Sequence, residues 1–334
     1  MSKNIRACMA IFMTLVLLIV LATGCAAEKV TPQPTTAPVA TEAPKPTYPE
    51  KEVEVVYHST AGSGGDIFLR TMGRAVEKQM GESWVINNMP GASGANAWNY
   101  TAKAKPDGYT ILGISSTIIT APILNEMPVN YTNFEPVAMM FTDPMVLFVP
   151  ADSPIKSIKD LVDVAKANPG KIKFAGGTPG ELGFVAGREL MKAAGFEIGL
   201  VPFEGGGDAA VTVLGGHLDG GIGEYAEISS NVEAGKIKII GSFNEMPLMT
   251  QIETVAEAGY PEVKIEKLRG VVAPKGTPKE VIDIIAAAMK KALDDPDFKK
   301  YYESSNLIPS YKTGDEFLKV MQAQDAQIKA VVGK

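Results

Sequence analysis

Four short turns carry the residues whose types and spacing could do chemistry: Thr60-Ala-Gly-Ser-Gly-Gly-Asp66, Ser115-Ser-Thr117, Ala175-Gly-Gly-Thr-Pro-Gly180 and Pro202-Phe-Glu-Gly-Gly-Gly-Asp208. Each follows a β-rich apolar run and leads toward a helical segment. Glycine lets main-chain N–H groups come close to a ligand, and the first turn of a helix carries unsatisfied donors and partial positive charge. Several such ends meeting at one crevice hold an anion without any lysine or arginine, and carboxylate or phosphate is the natural guest. Taken singly, each turn reads equally well as ordinary βα chemistry, with Asp66 and Asp208 as helix caps. Their recurrence, two in each half of the chain, favours binding. None is a nucleotide fingerprint, since GxxxxGK[ST] is absent and no Gly-x-Gly-x-x-Gly joins a strand to a helix with a suitably placed acid.

The elements that must position these turns alternate between strand and helix from Glu50 onward, the signature of α/β architecture. Strands are predicted at 53–57, 84–87 and 109–115, with helices at 66–79 and 95–104 between them, and the stretch 137–149 contains a buried run at 145–149. A second set follows: helices at 158–167, 184–194, 208–214 and 226–234 among strands at 172–175, 199–202, 218–222 and 237–242. After a loop at 244–262, a strand is expected within 264–273, and helices at 278–294 and 315–333 close the chain. The length allows two domains. The expected fold class is α/β with two lobes, each a mixed sheet flanked by helices: residues 50–149 with 270–334, and residues 150–269. Crossings near 148–151 and 268–272 would form the hinge. A single doubly wound sheet is the alternative.

The N-terminus speaks to location. Lys3 and Arg6 precede an uncharged, mostly apolar run of fifteen residues from Met9 to Thr23. A bilayer span needs about 20 residues, so this run suits a secretory signal segment better. It ends in Leu-Ala-Thr-Gly-Cys at 21–25, which resembles a bacterial lipobox. Residues 1–24 are therefore expected to be removed and Cys25 to be lipidated. Residues 25–50 hold six prolines and five threonines with almost nothing large and apolar, and read as an extended tether.

Removing residues 1–24 takes away two bases and no acid, so the net charge of −6 becomes −8. No basic block follows, which argues against a nucleic-acid partner. Cys8 lies in the removed segment, leaving no thiol for a nucleophile or a disulfide once Cys25 is acylated. His58 and His217 are the two histidines, and neither has cysteines or clustered acids at metal-ligand spacing. No metal, no cofactor and no catalytic residues are expected, and a Gly-x-Ser-x-Gly elbow is absent.

From about residue 52 to 334 the chain resembles the substrate-binding receptors of tripartite tricarboxylate transporters, the Bug family. The resemblance rests on Ala61-Gly-Ser-Gly-Gly-Asp66 with Arg70, Asn88-Met-Pro-Gly-Ala-Ser-Gly94, Lys105-Pro-Asp-Gly-Tyr-Thr110, Asn168-Pro-Gly170, Val201-Pro-Phe203, Leu214-Gly-Gly-His-Leu-Asp219 and Ala273-Pro-Lys-Gly-Thr-Pro278. It implies a two-lobe Venus-flytrap fold of the type II periplasmic-binding-protein kind. Such a receptor closes on an organic acid and delivers it to membrane permease subunits, most simply as a monomer. Carried onto this chain, ligand contacts fall on Ser59, Ala61, Gly64, Gly65 and Asp66, on Ser115 and Thr117, on Gly177 and Thr178, and on Phe203 and Asp219. The chain departs from the family pattern at His58-Ser59, Ala121-Pro122, Phe184, Glu204 and Leu268. Glu204 inside the cleft would repel a polyanion, so a mono- or dicarboxylate is favoured over citrate. Arg269 could make a two-pronged contact to a ligand carboxylate or take part in an ion pair between lobes. The expected role is an extracytoplasmic, lipid-anchored solute-binding protein. A sensing receptor for a membrane kinase, or a secreted hydrolase, is the alternative.

Overall fold

The computed structural model describes residues 47–203 and 206–333, so the expected signal segment, Cys25 and most of the tether lie outside the described residues. The chain opens with β1 (Val53–Tyr57), α1 (Gly64–Met80), β2 (Trp84–Asn88), α2 (Ala95–Ala102), β3 (Thr110–Ser115), α3 (Thr117–Asn125) and β4 (Phe134–Asp143). It continues with β5 (Met145–Pro150), α4 (Ile158–Ala167), β6 (Lys173–Ala175), α5 (Leu182–Ala194), β7 (Gly199–Val201), α6 (Gly206–Leu214), β8 (Gly220–Glu224), α7 (Tyr225–Glu233) and β9 (Ile237–Ser242). It closes with β10 (Lys267–Pro274), α8 (Lys279–Ala292), α9 (Pro296–Ser304), β11 (Ile308–Thr313) and α10 (Gly314–Val332).

These strands build two mixed sheets, ordered β11-β4-β10-β3-β1-β2 and β7-β6-β8-β5-β9. In the first, β1 runs parallel to β2 and β3, while β10 is antiparallel to β3 and β4. In the second, β6 runs parallel to β7 and β8, while β5 is antiparallel to β8 and β9. Asp143 ends β4 and Met145 begins β5, so the chain changes sheets at Pro144, just ahead of the expected crossing. Proline has no N–H for a ladder and suits such a break.

Alternation along the strands places a helical layer on each face. In β1, Val53, Val55 and Tyr57 join the core formed with Phe68, Met72 and Val76 of α1. Val56 points the other way, into a core holding Trp98, Ile118 and Phe317. The second sheet repeats the device: Leu147 and Val149 face α4 and α5, whereas Val146 and Phe148 face α6 and α7. Burying each of these large side chains contributes roughly 1.5–3 kcal/mol, before the entropy of ordering is counted.

Three elements were not expected from the sequence. The turn Ser115–Thr117 runs straight into α3, whose buried face includes Ile118, Ile119 and Ala121; with apolar residues on nearly all sides it has no amphipathic period. α9 starts where Asp295 accepts hydrogen bonds from the N–H groups of Asp297 and Phe298, with Pro296 at the first helical position. β11 is an edge strand containing Pro309, which proline permits only at an edge. At the other end, residues 47–50 pack on the first sheet's side of the molecule: the Tyr48 hydroxyl donates to the Gly108 carbonyl at 2.6 Å.

Candidate functional site

The segments that follow the carboxyl ends of β1, β3, β6, β7 and β8 line one cleft, together with residues of β10. That is where crevices form in open α/β sheets. The cleft draws on both sheets. Tyr57, His58, Ser59, Ser63, Gly65 and Thr117 come from the first, as do Lys267 and Arg269. Gly176, Gly177, Glu181, Phe203, Glu224 and Glu227 come from the second half. A contact beside the cleft also joins the halves: the Thr120 hydroxyl of α3 donates to the Gly180 carbonyl at 2.5 Å.

The interior is more highly charged than the glycine turns suggested. On β10, Lys267 and Arg269 stand two residues apart and therefore on one face. A register shift between Arg269 and Gly270 marks a β-bulge, a device that re-aims side chains beside sites. The Arg269 side chain is 2% exposed and forms an ion pair with Asp143, which ends β4; its Nε donates to Asp143 Oδ2 at 2.6 Å. Lys267 is ion-paired with Glu224, the last residue of β8. Three residues further, in the first turn of α7, Glu227 Oε1 accepts the Gly64 N–H at 3.0 Å. This bond sets a carboxylate of the second half at the N-terminus of α1. Glu181, before α5, accepts the Thr178 N–H at 2.8 Å.

Enclosure tunes these groups. Burial, with help from Lys267 and Arg269, drives His58 down to about 3, so its imidazole is neutral at physiological pH. Burial lowers Lys267 to about 8, aided by Arg269 and opposed by Asp143 and Glu181. Burial likewise pushes Glu227 up to about 7, although the Gly64 N–H and Arg269 favour its ionised form. Tyr57 is raised to about 12 by burial, which Arg269 partly offsets. For Arg269 burial opposes the charge, but Asp143, Tyr57, Tyr301 and Glu227 together favour it and hold the guanidinium above its ordinary value.

Close approach requires glycine at two positions. A Cβ on Gly65 would lie 1.8 Å from the Tyr57 hydroxyl and 2.8 Å from Arg269 Nη1. A Cβ on Gly206 would lie 1.7 Å from Glu227 Oε2. The carboxyl of Glu227 is thus held between the starts of α1 and α6.

Of the residues singled out from the sequence, Ser59, Gly65, Thr117, Gly177, Phe203 and Arg269 line the cleft. Glu204 lies outside the described residues. The others take different places. Gly64 gives its N–H to Glu227. Ala61 is exposed on the loop before α1. Asp66 braces that loop, accepting from the Gly62 N–H at 2.8 Å and from Arg70 Nε at 3.0 Å. Ser115 is buried and bonded to Thr117, hydroxyl to hydroxyl, at 3.1 Å. Thr178 gives its N–H to Glu181. Asp219 is a correction: it precedes β8 instead of following a strand, is exposed, and accepts the Lys173 N–H at 2.8 Å at the strand end remote from the cleft.

Sequence reasoning missed His58, Ser63, Glu181, Glu224, Glu227 and Lys267 as site residues. One signal was available. Once Arg269 is suspected, strand alternation brings Lys267 with it, and Glu224 and Glu227 bracket a helix start at a spacing that puts both on one side.

Residues 68–334 match the model of the tripartite tricarboxylate transporter family receptor. Protein BugT of Bordetella pertussis (strain Tohama I) is 28% identical over 287 residues, 84% of this chain and 88% of that protein. The structure of the periplasmic binding protein BugD superposes with a TM-score of 0.79 at 27% identity, covering 85% of this chain and 97% of that one. MatC from Rhodopseudomonas palustris, solved with bound malate, has a TM-score of 0.78 at 23% identity over 85% of this chain and 100% of that one, a likeness of fold.

Proposed function

The chain belongs to the tripartite tricarboxylate transporter receptor family, and from that premise we propose that it captures a small carboxylate outside the cell membrane for delivery to permease subunits. The observation that carries this reading is the single cleft fed by turns of both sheets, because one ligand then touches both halves. The sheets are the cores of two lobes, hinged where the chain changes sheets at Pro144 and again between β9 and β10. A ligand bridging the halves stabilises the closed form over the open one.

The role is binding and not turnover: burial holds the cleft's histidine far below its ordinary value, which makes it a poor general base, and no mature thiol is expected beside it. Cys25 is the proposed lipid anchor, with residues 26–46 as the tether to the membrane. The partners are the organic acid and the permease, and the receptor acts as a monomer.

A thermal-shift panel of mono-, di- and tricarboxylates, sugars and peptides tests this reading. A ligand at 100 times its Kd stabilises by about 2.7 kcal/mol, roughly 4–5 °C for a chain of this size. Shifts confined to carboxylates are expected. Shifts with neutral sugars or peptides alone would overturn it.

A further inference from the structure

Resting on the two-lobe reading above, we propose that Glu227 is a closing latch. Its carboxylate, carried on α7 of the second lobe, grips the start of α1 in the first and holds the cleft shut through the protein's own atoms.

The contact itself carries the argument. Glu227 Oε1 accepts the Gly64 N–H at 3.0 Å, and Glu227 is among the residues that line the cleft, so the bond spans it. Gly64 is the first residue of α1, where N–H groups lack helical partners and the dipole is positive. A carboxylate is the group such an end holds best, and here the opposite half of the molecule supplies it. Glu227 sits in the first turn of α7, where an acid ordinarily serves its own helix. Its bond goes instead to α1.

The surroundings are built for this side chain. A Cβ on Gly64 would lie 3.2 Å from Glu227 Cγ and 3.1 Å from Arg269 Nη2, and a Cβ on Gly206 would overlap Glu227 Oε2. Two glycines of the turns singled out from the sequence thus make room for a protein carboxylate. Arg269, on the first sheet's side, favours its ionised form. A charge-assisted hydrogen bond of this kind favours the closed state over the open one roughly 10- to 100-fold. A bias of that size decides which state predominates.

Spin labels at Val85→Cys on β2 and Val211→Cys on α6, both exposed, report the distance between the lobes by pulsed electron paramagnetic resonance. The mature chain carrying Cys25→Ser is used, freed of small molecules by unfolding and refolding. The parent should show one short distance. In Glu227→Ala most molecules should shift to a distance longer by several ångströms. Glu227→Asp keeps the charge but is one methylene too short to reach Gly64; it should open as well, and it decides if Glu227→Ala does not fold. A long distance already present in the parent, or a short one kept when the carboxylate is removed or shortened, overturns the latch. The carboxylate panel above is read separately. Melting shifts with carboxylates beside an unchanged distance leave the binding reading standing without the latch, and their absence removes that reading whatever the distance.

Discussion

Replacing Asp143 by asparagine removes the partner of a buried cation while conserving shape. The Arg269 side chain is 2% exposed and that of Asp143 is fully buried, and Arg269 Nε and Nη2 both contact Asp143 Oδ2. Among the described residues Asp143 Oδ1 has no hydrogen-bond partner, so the pair depends on this one junction. At an effective dielectric of about 20, two charges some 3.5 Å apart interact by roughly 5 kcal/mol. Removing one partner of a buried pair costs about 3–5 kcal/mol, because the remaining charge stays desolvated. For a chain of this length that is a fall in Tm of about 5–8 °C. Urea unfolding and calorimetry of D143N measure it directly. Replacing both residues, as D143L with R269M, should recover most of the loss, since apolar substitutes remove the desolvation cost together with the attraction. A D143N protein within about 1 kcal/mol of the parent, or a double variant less stable than the sum of its parts, would refute the reasoning.

Gly65→Ala forces a methyl into the Tyr57 ring and Arg269, and should cost about 1–3 kcal/mol and weaken ligand binding, whereas Gly207→Ala, whose Cβ meets nothing within 4 Å, should be neutral or slightly stabilising. Glu227 is faced by the Gly64 N–H on α1, Arg269 on β10, Glu181 before α5 and Asp143 on β4, and is raised to about 7 mainly by burial. Its folded value exceeds the unfolded one, so its contribution to stability is full below the ordinary carboxylate range and is lost as pH rises through about 7. Denaturant midpoints of the ligand-free protein, compared with those of Glu227→Gln, should show that loss. Cys25→Ser should move the exported protein from the detergent phase to the aqueous phase in a partition assay.

The parallel βα units were legible because their strands are short, β-branched and bounded by glycine turns. Residues in or beside those turns, Ser59, Gly65, Thr117, Gly177 and Phe203, line the cleft. What escaped was long-range. The acids at 181, 224 and 227 lie at helix starts, where a carboxylate is usually a solvated cap, and nothing local shows that they meet Lys267 and Arg269 of the other sheet in one cleft. Asp219 was carried over from the family resemblance. β8 begins two residues later than the expected strand at 218–222, so Asp219 precedes it at the end remote from the cleft, where it holds Lys173. α3 escaped for lack of a polar face, and β11 because a proline argues against any strand except an edge.

The cleft therefore combines two layers of chemistry. Glycine-lined helix starts provide dipoles, as the turns implied, but one of them is already occupied by a carboxylate of the protein.

The most direct test is mass spectrometry of small molecules released when the freshly purified protein is denatured. A near-stoichiometric small carboxylate is expected. A neutral sugar or a peptide in that position would contradict the account.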